Sequence, residues 1–199
     1  MRILIVGANG TVGRTAVAAL SPRHEIIKAG RSSGDVTVDL TRPESIRAMY
    51  DKAGKVDAVV ACTGHVHFGP VTTMTSEQFV SGLQDKLMGQ VNLVLEGLPR
   101  INDGGSFTLT SGILDRDPIR KGSSASTVNA ALAGFVLGAA IEMPRGVRIN
   151  VVSPGLLQDS AVKYDGFFPG HDPVASDRVG LAYVKSVEGA LTGQVIKVG

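Results

Sequence analysis

The sequence has few of the features that would place a protein outside the cytosol or on a nucleic acid. Its single cysteine, Cys62, has no partner in the chain, which excludes an internal disulfide. No apolar run approaches the ~20 residues that span a bilayer, and a strand pattern that begins at Met1 leaves no room for a targeting segment. The 20 basic and 18 acidic residues are interspersed, so neither nucleic acid nor membrane is an expected partner. We therefore expect a soluble, cytoplasmic protein.

Length and apolar content favour one folded unit. With 199 residues and 43% hydrophobic content, the chain can bury one sizeable core but is short for two. It has no internal repeat, low-complexity tract or linker. The expected organisation is a single domain over residues 1–199.

The first fourteen residues carry the most informative pattern. Arg2 to Val6 is a β-branched apolar run typical of a central parallel strand, and a G-x-x-G-x-x-G turn and a helical pattern follow it. Glycine suits a turn with positive φ, close approach to a pyrophosphate, and close packing of helix on strand. The pattern predicts a dinucleotide site formed by Gly7, Asn9, Gly10, Thr11, Val12 and Gly13. The alternative is an ordinary strand-turn-helix.

Strand and helix patterns alternate along the rest of the chain. The predicted strands are residues 2–6, 25–29, 36–38, 57–62, 106–110, 147–152 and 194–198. Helices are expected from Pro43 with Thr41 as N-cap, from 75 to 97 in two pieces, and from 126 to 143. Repeated β-α-β units predict an α/β fold of three layers, a Rossmann-type, doubly wound parallel sheet with helices on both faces. The Gly/Pro-rich residues 165–173 are expected to loop over the site.

The end of the second strand bears on cofactor choice. An Asp or Glu there would hold a free ribose 2′-hydroxyl, but the chain offers Arg31, Ser32 and Ser33 and no acid. Because these side chains can donate to a 2′-phosphate, NADP(H) is favoured over NAD(H). Asp39 is a candidate acceptor for the adenine amino group. The alternative is a solvated loop with one arginine.

Several blocks together resemble the short-chain dehydrogenases/reductases over nearly the whole chain. Besides the glycine turn, they are residues 39–41, 61–64, 68–71, 129–135, 145–155 and 191–195. The resemblance implies a Rossmann-type fold, a nicotinamide cofactor, a small-molecule substrate, and a homodimer or homotetramer built on the two long helices. It also implies that Cys62, Thr63 and Gly64 line the cofactor site and that Pro154 and Gly155 lie beside the nicotinamide.

The departures from this family fall on its chemistry. The family transfers a proton with a Tyr-x-x-x-Lys pair, in which the lysine lowers the tyrosine pKa. The resemblance places Ala125 at the tyrosine and Asn129 at the lysine, and neither can act in that way. The family serine falls at Ser111 or at Gly112, one residue on. Lys86 replaces a helix asparagine that helps to hold a water in the family.

A substitute acid must reach a carbonyl above the nicotinamide, which restricts candidates to the ends of the central strands. The candidate catalytic residues are Ser111, Lys86 and His65, and no metal site is expected. A histidine here can also be solvent-facing, and Lys86 can be a surface lysine. Tyr164 and Asp115 lie in segments that can fold over the cleft, and Tyr164 is the fallback phenol.

Residues 156–175 are short for a family lid, which favours a small or open-ended ligand. Phe167 and Phe168 either contact that ligand or lie in a subunit interface. The favoured function is an NADP(H)-dependent oxidoreductase acting on a small carbonyl or alcohol, with non-standard catalytic residues. The alternatives are a catalytically silent NADP(H) sensor or scaffold, and an isomerase or lyase.

Overall fold

The computed structural model describes residues 1–199, and its centre is a seven-stranded sheet. All strand pairs are parallel, in the order β3-β2-β1-β4-β5-β6-β7. The strands are β1 Arg2–Val6, β2 Glu25–Gly30, β3 Val36–Thr37, β4 Val56–Ala61, β5 Ile101–Thr110, β6 Arg148–Pro154 and β7 Val195–Val198. Because β2 and β4 flank β1, the strand order reverses beside β1, at the kind of position where such sheets bind ligands.

Helices cover both faces of the sheet. They are α1 Thr11–Leu20, α2 Pro43–Ala53, α3 Ser76–Gly82, α4 Gly89–Gly97, α5 Ser123–Ala140, α6 Gln158–Ala161 and α7 Ser176–Glu188. A π-helical segment, Leu83–Met88, joins α3 to α4, and two 3₁₀ turns cover Ile113–Asp115 and Val162–Tyr164. By length and composition alone, α5 would be long and apolar enough to cross a membrane, but here it packs on the sheet.

Two hydrophobic cores result from the alternation of side chains along the strands. On β1, Leu4 and Val6 join a core of 25 buried residues that also includes residues of α2, α4 and α5. Ile3 and Ile5 point the other way, into a core of 16 buried residues shared with α1 and α7. This arrangement confirms the expected three-layer, Rossmann-type α/β fold.

Some predicted boundaries were wrong. Helix α2 begins after Arg42, whereas the Thr41 hydroxyl donates to Asp39 Oδ1 at 2.7 Å and does not cap the helix. Helix α5 covers 123–140 instead of 126–143, and β5 starts at Ile101, which pairs with Val56 ahead of a register shift. The two pieces expected over 75–97 form a continuous helical run with a π-helical middle.

Candidate functional site

The candidate site lies at the carboxyl edge of the sheet, where β1, β4, β5 and β6 end. Two hollows open there. A large cavity of about 330 Å³ lies over the ends of β4, β5 and β6. A small cleft of about 140 Å³ lies over β1 and β2, and its lining includes Gly7, Arg31, Thr63, His65 and Asp85. The start of α1 contributes Thr11 and Val12 to the large cavity.

The glycine turn leaves free amides at the N-terminus of α1. Gly10 is the N-cap residue and offers no side chain, and the first turn of the helix carries no acid. The amides of Thr11, Val12 and Gly13 therefore have no acceptor within the helix. Free amides at the positive end of a helix are the donor set that binds a phosphate or diphosphate.

Two glycines of this turn serve different purposes. A Cβ at Gly13 would overlap the Gly7 carbonyl oxygen and lie 2.8 Å from Ala8 Cα, so close packing of α1 on β1 requires glycine. A Cβ at Gly10 would meet only the Gly7 carbonyl oxygen, at 3.4 Å. The fold itself does not require glycine at position 10. A bare backbone at this position leaves room for a ligand beside the free amides, so the residues present fit a dinucleotide diphosphate.

The small cleft contains an arginine and a carboxylate that face each other. Arg31 Nη2 lies 3.7 Å from Asp85 Oδ2, and the Arg31 side chain is 66% exposed. Asp85 also accepts a hydrogen bond from the His65 backbone amide at 2.9 Å. Sequence reasoning missed Asp85, because nothing in a helical pattern indicates that this residue turns toward the end of β2.

The neighbouring polar residues lie at the rim of the cleft. Asn9 Nδ2 donates to Ser33 Oγ at 2.8 Å, which ties the glycine turn to the loop after β2. Ser32 is exposed and has no side-chain hydrogen bond. The pKa of Asp39 is lowered, mainly because its carboxylate accepts from the hydroxyl and the amide of Thr41.

Lys86 is the central charged group of the large cavity. Its Nζ donates to the Ser111 carbonyl oxygen at 2.9 Å and to Asn129 Oδ1 at 2.7 Å. An ammonium has three N–H groups, so one remains without a protein partner. Burial lowers the pKa of Lys86 to about 8, although the Asp115 carboxylate opposes this shift. A group with such a pKa exchanges protons near neutral pH.

The π-helical segment and one glycine place Lys86 at this position. Single π turns inside α-helices occur frequently at functional sites, and this one carries both Asp85 and Lys86. Gly64 has φ +117°, and a Cβ there would lie 2.6 Å from Lys86 Cα. Any larger residue after β4 would therefore push the lysine away from the strand ends.

The other polar residues of the large cavity surround Lys86. Ser111 is 4% exposed, and its buried hydroxyl has no hydrogen-bond partner. Asn129 is 3% exposed and Ala125 2% exposed, and both line the cavity from α5. A buried unpaired hydroxyl beside an ammonium can bind the oxygen of a small ligand.

Pro154, Gly155 and Cys62 also line the large cavity. Burial raises the pKa of Cys62 to about 12, which makes its thiol a poor nucleophile. The rest of the wall is largely apolar and includes Val66, Phe68, Ile113 and Leu114.

A lid, residues 156–175, covers the large cavity. The Val174 amide donates to the Leu156 carbonyl at 2.7 Å and the Gln158 amide donates to the Val174 carbonyl at 2.9 Å, so the two ends of the lid are pinned together. Tyr164 and Phe168 line the cavity and pack edge to face, with ring centres 6.0 Å apart. Phe167 lies outside this cavity and is 40% exposed.

The structure brings together some of the predicted catalytic residues and separates others. Ser111 and Lys86 are adjacent, and Tyr164 shares their cavity. His65 is not with them: it lines the small cleft, and its side chain is 89% exposed. Asp115 is also outside the cavity lining, where it accepts from Ser153 Oγ at 2.9 Å and pairs with Arg116.

The chain is similar to known oxidoreductases in sequence. A family model described as enoyl-(acyl carrier protein) reductase matches residues 3–178. An uncharacterized oxidoreductase of Mycobacterium tuberculosis (strain CDC 1551 / Oshkosh) is 27% identical over 190 residues, which cover 81% of this chain and 69% of that relative. A tetrahydroxynaphthalene reductase of Pestalotiopsis fici is 26% identical over 151 residues, which cover 73% of this chain and 54% of the relative.

Solved structures extend the likeness to the whole fold. The crystal structure of the protein lin1944 from Listeria innocua is 50% identical, with a TM-score of 0.99 over all of both chains. A small-chain dehydrogenase in complex with NADPH is 24% identical, with a TM-score of 0.87, over all of this chain and 96% of that one. The second likeness supports the fold alone.

Proposed function

The chain belongs to the short-chain dehydrogenase/reductase family, and from this membership we propose that it is an NADP(H)-dependent oxidoreductase of small carbonyl or alcohol substrates, with Lys86 as the proton donor. One observation carries the proposal: the Lys86 ammonium lines the large cavity with one N–H unpaired, beside the unpaired Ser111 hydroxyl. His65 is left without a role in proton transfer, because it lies in the small cleft.

The cofactor assignment rests on the two hollows and the turn between them. Amides of the glycine turn would hold the diphosphate, and Arg31 with Ser32 and Ser33 would hold the 2′-phosphate. Asp39, Thr63 and Gly64 would line the adenosine part of the site, and Cys62, Pro154 and Gly155 the nicotinamide part. A similar fold is known in complex with NADPH, which supports this choice.

Replacement of Arg31 by alanine is expected to weaken NADPH binding about 10- to 100-fold, because a charge-assisted contact of this kind contributes about 1.5–3 kcal/mol. NADH binding should change little, since NADH has no 2′-phosphate. Fluorescence titration with each cofactor measures both constants, and Arg47→Ala is the matched control, because Arg47 pairs with Glu96 at the surface. Equal losses for NADPH and NADH would contradict the phosphate assignment.

The chemistry of the site follows from the Lys86 hydrogen bonds. A nicotinamide cofactor held by these residues would supply hydride chemistry at the carbonyl carbon. Lys86 donates its unpaired N–H to the carbonyl oxygen, gives up that proton as the alkoxide forms, and regains a proton from solvent. Asn129 and the Ser111 carbonyl hold the ammonium in place. The Ser111 hydroxyl, which has no protein partner, would bind the same substrate oxygen.

The direct test is to saturate the protein with NADPH, follow the reduced-nicotinamide fluorescence, and add a panel of small carbonyl compounds. Decay of the signal with formation of the alcohol supports the proposal. A second candidate, a catalytically silent NADP(H) sensor or scaffold, is favoured by one observation: buried Ala125 stands where the family resemblance expects a phenol. NADPH binding without decay for any carbonyl would favour the sensor.

We also propose that two or four copies assemble through the outer faces of α4 and α5. Leu95 of α4 is 55% exposed, Leu137 of α5 is 68% exposed, and Ile141, which directly follows α5, is 88% exposed. Apolar side chains at 137 and 141, one helical turn apart at the end of α5, suit contact with a second copy.

The double variant Leu137→Lys/Ile141→Lys is expected to shift the protein from dimer or tetramer to monomer, because charge would be buried in the contact. Light scattering coupled to gel filtration measures the mass. Leu181→Lys, at a 66% exposed position on α7, is the control and should leave the assembly unchanged. A monomeric parent protein would rule out the assembly.

A further inference from the structure

We propose that the substrate is anionic, a carbonyl compound that also carries a carboxylate, and that Lys163 of the lid binds this second group. The inference deepens the proposed function and rests on it. It comes from the distribution of charge around the large cavity, which the proton-transfer chemistry does not account for.

The lining of the large cavity carries positive charge and no carboxylate, and the Asp115 carboxylate, which raises the pKa of Lys86, lies outside that lining. Among its 20 lining residues are two lysines, Lys86 and Lys163, and not one aspartate or glutamate. Lys86 hydrogen-bonds to protein oxygens, but Lys163 makes no ion pair and no side-chain hydrogen bond. A cleft lined by one sign of charge raises the local concentration of ligands of the opposite sign.

The lid fixes where Lys163 stands. It lies on the 3₁₀ turn Val162–Tyr164, and its Nζ is 5.5 Å from the centre of the Tyr164 ring. Tyr164 in turn packs on Phe168, and both rings line the cavity. The ammonium is thus kept at the lid side of the cavity, whereas Lys86 and Ser111 lie at the strand ends.

More positive charge lies on the other side of the same lid. A third cavity, the outer cavity, is lined by Arg120, Lys121 and lid residues 165–167 and 169. Its volume of about 460 Å³ exceeds that of the large cavity that contains Lys86. Arg120 has no carboxylate partner, and neither does Lys121. The one acid of this lining is Asp165, and it makes no ion pair. The outer cavity therefore carries two cations and one carboxylate, a net positive charge beside the lid.

The cavity that contains the two lysines also has an apolar wall, which favours a ligand with an apolar body. Val66, Phe68, Ile113 and Leu114 line the cavity together with Phe168. A ligand that fits has a carbonyl at Lys86 and Ser111, an apolar body along this wall, and a carboxylate at Lys163. Lys163 is exposed, so with a neutral ketone bound its ammonium would have only water as a partner.

The test compares matched substrates on the NADPH-loaded protein. Each pair consists of an oxo acid and its methyl ester, and kcat/KM is measured for the parent protein, Lys163→Met, Lys163→Arg and the surface control Lys52→Met. In the parent, the acid should be preferred over the ester by about tenfold or more. Lys163→Met should lower kcat/KM for the acid until it is close to that for the ester, so that the preference is lost. Lys163→Arg should retain most of the preference, and Lys52→Met should match the parent.

Three results would overturn the inference. Equal kcat/KM for the acid and the ester in the parent protein would show that the site does not distinguish a carboxylate from its neutral ester. An equal loss for both substrates in Lys163→Met would show that Lys163 only supports the lid. A weaker NADPH dissociation constant in Lys163→Met would assign the lysine to the cofactor phosphates instead. Absence of turnover with every acid and ester would count against the oxidoreductase proposal as a whole, and so differs from these three.

Discussion

Lys86→Met is expected to lower kcat/KM for carbonyl reduction by about 10²- to 10⁴-fold, the usual contribution of a positioned general acid. NADPH binding should largely persist, because the proposed phosphate contacts lie in the glycine turn and the small cleft, whereas Lys86 hydrogen-bonds to Ser111 and Asn129. The methionine side chain is close in length to lysine and fills the same space, so the fold should be retained. Stopped-flow fluorescence at saturating NADPH separates the chemical step from binding.

The pH dependence gives an independent check on the same residue. Burial lowers the pKa of Lys86 to about 8, so the ammonium form, which is needed to reduce a carbonyl, declines above that pH. We therefore expect reduction to slow as the pH rises through about 8, and oxidation of the alcohol to accelerate over the same range. Lys86→Arg stays charged, and the fall near pH 8 should disappear from its residual activity.

A matched control separates loss of the acid from loss of charge in general. Lys185→Met removes an exposed lysine from α7 and should behave as the parent protein. If Lys86→Met kept most of the reductase activity, the proton would have to come from elsewhere in the same cavity. Tyr164 would then be the candidate, because it lines the same cavity.

Much of the fold is predictable from the sequence, because the relevant signals are local. Apolar runs such as Arg2–Val6 identify buried strands whatever surrounds them, and all seven strands lie where their runs predict. Boundaries set by tertiary contact are not predictable in this way. β5 begins five residues before the predicted start because Ile101 finds a partner in Val56, and no local pattern specifies that pairing.

The candidate site was only partly predictable for the same reason. Ser111 and Lys86 were identified through the family resemblance, as the family serine and as the replacement of a helix asparagine, and the structure brings them together. His65 follows β4 directly, but its backbone amide is held by Asp85, and its side chain is left in solvent. That placement depends on the π-helical segment, whose register does not follow from a 3.6-residue period.

Gly13→Ala is expected to lower the free energy of unfolding by about 3 kcal/mol, at the upper end of the usual cost of overpacking. The new Cβ would overlap backbone atoms of Gly7 and Ala8, which cannot rotate away as a side chain can, so α1 would have to move off β1. Since the same movement displaces the free amides, NADPH binding should be lost as well. Urea unfolding and fluorescence titration measure the two effects.

Gly10→Ala separates the two functions of the turn. Its Cβ meets only the Gly7 carbonyl oxygen, at 3.4 Å, so stability should remain close to that of the parent. NADPH binding should nevertheless weaken about tenfold or more, because the methyl group enters the space that a diphosphate needs beside the amides of Thr11 and Val12. A Gly10→Ala protein that binds NADPH as the parent does would mean that the open backbone at position 10 does not serve the cofactor. If Gly10→Ala weakens NADPH binding without lowering stability, the glycine at position 10 serves the cofactor and not only the fold.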